Sequence, residues 1–227
     1  ATAVRAYSRP DWFSGSAVDE DGQVLTFTVP TDRDGVQVLD DFDSVGQRFS
    51  ASGSTVFTDV RVATDEVVPE KQGGGGFSAF AQLYLAAVEA GIARAAHDDA
   101  VAFARNGSRP IKHAGVSRSV DDPYVRRAVG DIGARAFAAR AAVLIAAEEL
   151  DALVPGDDDH RAAVASRVAE SQVVAVESAL AASERLFDVA GGSAVLAEHG
   201  LDRHWRNART VANHNPREWK LAVAGAF

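Results

Sequence analysis

His214 sits in the stretch TVANHNPREWK, residues 210–220, between two asparagines and just ahead of a proline that forbids an ordinary helical hydrogen bond. An imidazole with an unperturbed pKa of about 6.5 can give or take a proton near neutrality, which is what general acid–base work requires. Asn213 and Asn215 can hydrogen-bond to backbone or ligand without adding charge, and Pro216 stiffens the loop. The same arrangement also suits a histidine that only caps the preceding helix, where positive charge is favourable. A second constellation is basic: Arg105, Arg109, Lys112, His113 and Arg118 cluster between two helix-like runs. Guanidinium donors match two phosphate oxygens at once, so an anion site is one reading; a solvated loop paired with Asp121 and Asp122 is the other. Gly191, Gly192 and Ser193 form a turn that backbone N–H groups could open to a ligand, or one that simply ends a helix. Arg203, Arg206 and Arg209 fall three apart on one helical stripe and read as partners for acids of the bundle. Trp205 and Trp219 read as packing anchors. His199 and His204 lie five apart, which misses the i, i+4 spacing of a helical metal pair, so no metal site is predicted.

The elements that must hold these residues fall into two regions. With 227 residues, 47% of them hydrophobic, the chain can bury one sizeable core or one domain with a smaller companion. No apolar run approaches about 20 residues and no basic-then-apolar leader opens the sequence, which predicts a non-secreted, cytoplasmic protein without a membrane span. The absence of cysteine removes disulfides, thiolate nucleophiles and Cys-based zinc or iron–sulfur sites. A formal charge of −9 argues against nucleic acid and anionic lipid as partners. There is no methionine, even at position 1, and ATAVRAYSRPDW reads as entered mid-element, so a piece of a longer protein is expected.

From Val24 to Val68, short β-branched and aromatic runs alternate with turn residues: VLTFTVP, VQVLD and STVFTDVRV read as strands of a small antiparallel sheet. Phe57 departs from the alternation of the last run, and DRDG at 32–35 suits a hairpin with Gly35 at positive φ. KQGGGG at 71–76 then breaks all pattern and reads as a hinge between domains; the lysine of a nucleotide-binding loop is missing after it. Beyond it the three- and four-residue spacing predicts helices over about 77–106, from Asp122 to Pro155, and from 157 to Gly191. Phe80, Leu83, Ile132, Phe137, Leu144, Val168, Val174 and Phe187 are among the positions expected in their seams. A shorter fourth helix follows over GLDRHWRNARTV, and EWKLAVAGAF is apolar enough to dock. The expected architecture is α+β: a partial β-domain at 1–72, a glycine hinge at 73–76 and an up-down four-helix bundle at 77–227. Seams as rich in alanine as ARAFAARAAVLIAAEEL, on helices of about 30 residues, also predict packing between subunits.

A β-region leading through glycines into long helices resembles the back half of the acyl-CoA dehydrogenase superfamily. The segments GQRFSASGSTVFTDVRV, SRPIKHAGVSRSVDDPYVRRAVGDIGARAFAAR and LFDVAGGSAVLAEHGLDRHWRNARTVANHNPREWK are similar to its flavin-dependent monooxygenase branch, which includes dibenzothiophene monooxygenase and sulfur-acquisition oxidoreductases. The resemblance runs from about Asp11 onward, in order and spacing, and implies that an N-terminal helical domain and the first strands are missing. It implies reduced FMN supplied by a separate reductase, oxygen and a small sulfur-containing or aromatic substrate as reactants, and a homotetramer built as a dimer of dimers.

Residue by residue, His214 matches a histidine that the branch holds over the flavin, with Asn213 beside it. Arg109, in SRPI, matches an arginine that reaches a flavin phosphate, and Arg105 lies in the same cluster; Gly191, Gly192 and Ser193 match a turn lying along the flavin of a neighbouring subunit. In the dehydrogenases a glutamate follows the segment matching RNAR; here Asn215 stands in its place, and an amide cannot abstract a proton at neutral pH. An acyl-CoA dehydrogenase with FAD is therefore the alternative enzyme, and Glu218 is the nearest carboxylate. Dibenzothiophene monooxygenase has a second histidine where this chain has Val211, so a different substrate pocket is expected. A helical assembly module that lacks catalysis is the reading from another class.

Overall fold

The computed structural model describes residues 11–50, 52–69, 75–154, 156–214 and 216–226. The fold is α+β, and the chain divides into two compact units, Ala1–Gly74 and Gly75–Phe227. Of the glycine run, Gly73 and Gly74 lie outside the described residues, while Gly75 and Gly76 already belong to the first helix.

In the first unit, β1 (Trp12–Val18) pairs antiparallel with β2 (Val24–Pro30), from Trp12 opposite Pro30 to Val18 opposite Val24. The chain reverses between them because the Asp19 carboxylate accepts from the backbone N–H groups of Asp21 and Gln23 at 3.0 and 2.8 Å. β5 (Val67–Pro69) joins the other edge of β2, and β3 (Val36–Val38) pairs with β4 (Thr55–Phe57) in a second sheet. DRDG is a turn with Gly35 at φ +88°, where an added Cβ would lie 2.2 Å from the Thr58 carbonyl oxygen. It does not close a hairpin, contrary to the spacing, because β2 and β3 belong to different sheets. Arg33 instead ties the turn downstream: its guanidinium grips both oxygens of Glu66 at 2.5 Å and donates to the Arg61 carbonyl at 2.8 Å. That grip, with the Ala63 N–H, pulls the Glu66 carboxyl down to about 2. The expected strand over 54–62 shrinks to three residues because Asp59 turns to positive φ. Phe57 breaks the alternation for a reason: it stacks edge-on against Phe13 and Phe27, at 5.0 and 5.7 Å between ring centres, and so joins the two sheets.

The second unit holds α1 (Gly75–Ala102), α2 (Pro123–Asp151), α3 (Asp158–Ala190), α4 (Asp202–Ala212) and α5 (Arg217–Ala226). The three long helices pack pairwise, α4 lies against α1 and α3, and α5 lies against α3. Their starts are chemically marked. Asp122 caps α2 by accepting from the Tyr124 N–H at 2.8 Å with Pro123 in the first turn, and Asp157 caps α3 through the His160 N–H at 2.9 Å. Alanines carry the closest approaches: Ala93, Ala96 and Ala100 of α1 are wholly buried in the cluster that holds Ile132 and Leu186. A second cluster joins Leu83 and Ala86 to Ala139, Val164 and Val168.

Several expected core positions face outward. Phe137 and Leu144 are exposed, as are Phe80 and Val174. On α2 the buried positions are Ala128, Ile132, Ala136, Ala139, Val143 and Ala146, so Phe137 and Leu144 sit one residue, about 100°, beyond the seam. Small side chains line that seam, and the bulky ones stand on its flank. Trp205 and Trp219, expected as packing anchors, are also exposed. The terminal α5 docks on α3, but none of its described residues is buried.

Candidate functional site

Arg109 is positioned by how α1 ends. The last helical turn widens into a π-type turn, Phe103–Gly107, closed by the Ser108 N–H donating to the Phe103 carbonyl at 2.9 Å. Pro110 then holds Arg109 extended. The loop is pinned at its far end, where the buried Ser119 hydroxyl donates to the Ser108 carbonyl at 2.9 Å and the Asp122 cap starts α2. The result is a cavity of about 500 Å³ lined by Arg109, Tyr124, Arg127, Asp131, Arg185 and Gly191, among others. Its acids are already engaged. Asp131 pairs with Arg135 at 3.1 Å and Arg185 at 3.7 Å, Asp188 pairs with Arg185 at 3.0 Å, and Asp122 serves the helix start. Arg109 and Arg127 make no ion pair among the described residues, so two guanidinium groups face the cavity with their donors available.

Gly191 closes the other wall. It caps the C-terminal end of α3 at φ 65°, ψ −153°, a region open essentially to glycine alone, and its N–H donates to the Phe187 carbonyl. A Cβ there would meet no other atom, so the constraint is conformational and the surrounding space is free. Ser193 is occupied in the turn that follows, its hydroxyl donating to the Ala190 carbonyl at 3.2 Å; Gly192 is exposed beside it. Of the residues singled out for cofactor contact, Arg109 and Gly191 share one cavity. Arg105 is exposed on the π-type turn and does not line it. Lys112 and His113 are likewise exposed, and Arg118 reaches Asp121 only at 3.9 Å.

His214 lies in the turn after α4, exposed, with its backbone N–H donating to the Val211 carbonyl at 3.0 Å. Asn215 lies outside the described residues. Asn213 and Pro216 border a second cavity of about 270 Å³, shared with Leu180, Arg209, Arg217 and Glu218. Arg209 donates to the Asn213 side-chain oxygen at 2.7 Å and so braces the start of the loop. Glu218 is exposed and paired with Arg217 at 3.0 Å.

The arginine stripe of α4 divides in use. Arg206 pairs with Asp202 at 2.8 Å within the helix, while Arg203 crosses to Asp99 of α1 at 2.5 Å. The same Asp99 oxygen accepts from the Nε2 of the buried His204 at 2.8 Å, so one carboxylate holds two α4 side chains. His199 lies edge-on to Phe103 with ring centres 5.1 Å apart, and no metal-binding cluster of acids and histidines occurs among the described residues. Two features escaped the sequence reading. Arg127 and Arg185 meet Arg109 only through the fold. Glu89, a lone acid within the run LYLAAVEAGIARAA, is fully buried on α1 with neither carboxyl oxygen hydrogen-bonded. Its position on the apolar stripe was the available signal.

Residues 83–218 match the acyl-CoA dehydrogenase C-terminal domain family. The chain belongs to that family. It is 33% identical over 222 residues to dibenzothiophene monooxygenase of Mycolicibacterium goodii, covering 92% of this chain and 54% of that protein. The probable FMNH2-dependent monooxygenase SfnC of Pseudomonas putida is 33% identical over 223 residues, covering 93% of this chain and 56% of its own length. Among solved structures, TdsC from Paenibacillus sp. A11-2 in complex with FMN and indole superposes with a TM-score of 0.90 at 30% identity, covering 96% of this chain and 60% of TdsC. This member of the acyl-CoA dehydrogenase family thus spans about half the length of the curated relatives it matches. No helix among its described residues is long and apolar enough to cross a membrane.

Proposed function

We propose that the whole protein is a monooxygenase that uses reduced FMN to oxygenate a small sulfur-containing or aromatic molecule. The observation that carries this reading is the cavity where Arg109 and Arg127, free of ion pairs among the described residues, face the glycine-only turn at Gly191. That combination fits the phosphate end of a flavin nucleotide: two forked cationic donors and a backbone that a ligand can approach. The similarity to dibenzothiophene monooxygenase, to SfnC and to FMN-bound TdsC supports the choice of cofactor and reaction. Reduced flavin, when bound, supplies the activation of oxygen. The part left to this chain is to bind the phosphate through Arg109 and Arg127 and to hold and move a proton at the His214 imidazole. Arg209 braces Asn213, the residue just before it.

The same reading makes the enzyme a cytoplasmic homotetramer, a dimer of dimers, fed by a separate flavin reductase. The exposed Phe137, Leu144 and Ile145 of α2 support burial of that helix flank against another subunit. Arg105, Gly192 and Ser193 would then act along the flavin from positions that this chain alone does not gather. An FAD-dependent acyl-CoA dehydrogenase is the competing enzyme, and it needs a carboxylate base where the sequence has Asn215.

The deciding experiment supplies the full-length protein with reduced FMN, isotopically labelled dioxygen and either dibenzothiophene or indole. A product carrying one labelled oxygen atom supports the proposal. A protein that instead binds FAD and bleaches with an acyl-CoA thioester overturns it.

A further inference from the structure

We propose that Arg185 is a positioning residue for the anion site: it occupies acids of the cavity so that Arg127 stays open to the phosphate. The inference rests on the reading of that cavity as a flavin-phosphate site, and it concerns a side chain to which that reading gives no role. Charge alone does not make the cavity a binder of anions. Its lining carries the arginines Arg109, Arg127 and Arg185, but also the acids Asp122, Asp131 and Asp188. Asp122 is buried and caps α2. The other two acids decide what the arginines can do. Asp131 stands one helical turn after Arg127 and one before Arg135, so an i, i+4 pair is open to it in either direction.

The structure commits Asp131 away from Arg127. Its Oδ2 accepts from Arg135 Nε at 3.1 Å, in the acid-before-base order that complements the helix dipole, and faces Arg185 Nε of α3 at 3.7 Å. Arg185 Nη1 donates to Asp188 at 3.0 Å, so this one guanidinium bridges both acids where α2 packs on α3. Arg127 lines the same cavity and makes no ion pair among the described residues. Without Arg185, Asp188 loses this partner, Asp131 keeps Arg135, and the lining passes from balanced charge to an excess of one negative charge. An incoming phosphate then meets an unmasked carboxylate, and Arg127 gains a competing partner one turn away. Because the effect runs through the acids, removing them should remove it; a direct contact from Arg185 to the phosphate has no such dependence.

The test is fluorescence titration of the full-length protein with FMN and with riboflavin, which lacks the phosphate. Arg185→Gln should weaken FMN binding by about 3–30-fold, the scale of one net charge beside an anion in a partly screened site, and leave riboflavin binding unchanged. In the background Asp131→Asn with Asp188→Asn, adding Arg185→Gln should change FMN affinity by less than about twofold. FMN affinity that ignores Arg185→Gln would overturn the proposal. So would a loss shared equally by riboflavin, which marks a merely structural role, or a loss that persists without the two acids, which marks a direct ligand of the phosphate. Arg109→Ala separates this inference from the reading beneath it. If FMN binding is indifferent to Arg109→Ala, the phosphate-site reading falls; if Arg109→Ala weakens FMN binding and Arg185→Gln does not, this inference alone falls.

Discussion

Replacing Glu89 by glutamine should raise stability, and by an amount that grows with pH. The folded protein holds this carboxyl near pKa 8, against an ordinary value of 4.5. The sign follows from proton counting. Above pH 4.5 the unfolded chain has released the proton and the folded one has not, so stability falls as pH rises toward 8 and the loss levels off beyond it. At pH 7 the two states differ over about 2.5 pH units at about 1.4 kcal/mol each, or about 3 kcal/mol. Glutamine does not titrate, and its unpaired amide costs about as much as the unpaired protonated acid. The variant and wild type should therefore match near pH 4.5 and diverge to about 3 kcal/mol at pH 7. Urea unfolding of the full-length protein at pH 5, 6, 7 and 8, followed by helical circular dichroism, measures the difference. A gap that stays constant from pH 5 to pH 8 would mean that Glu89 titrates alike in both states.

Asp99→Ala should destabilise the helical unit by about 1–3 kcal/mol, since it strands the buried His204 ring nitrogen and cuts the tie from α4 to α1; calorimetry of the variant checks it. Gly191→Ala should cost about 1–3 kcal/mol through backbone strain alone. It should also weaken FMN binding, which fluorescence titration would read. Arg109→Ala should weaken FMN binding by about 10–100-fold while leaving the melting temperature nearly unchanged, because no ion pair among the described residues is lost.

How much of this was legible in the sequence depends on the range of the physics involved. Asp122–Pro123 and Asp157 mark helix starts through contacts two or three residues long, and the structure has both caps. Gly35 had to take positive φ wherever its turn led, but the choice of strand partner was made elsewhere, by Arg33 reaching Glu66 and by Phe57 meeting Phe13 and Phe27. β1 was missed because WFSGSAV carries small and polar residues where a stronger strand would carry β-branched ones. In α2, alanine rather than phenylalanine marks the buried stripe, so side-chain size pointed to the wrong flank at Phe137 and Leu144. Arg109 and Gly191 were each visible as a local oddity. That they share a cavity is a fact about how α3 lies beside the start of α2. Glu89 could have been suspected from its place on an apolar stripe, but that neither of its oxygens finds a partner is decided by how the long helices pack.

The most direct measurement of the central claim mixes the full-length protein, preloaded with reduced FMN and substrate, with oxygen in a stopped-flow spectrophotometer, for wild type and His214→Ala. The wild type should delay the return of oxidised-flavin absorbance and couple it to product. The variant, with its assembly intact, should return early with little product. Equal flavin traces and equal product from the two proteins would contradict it.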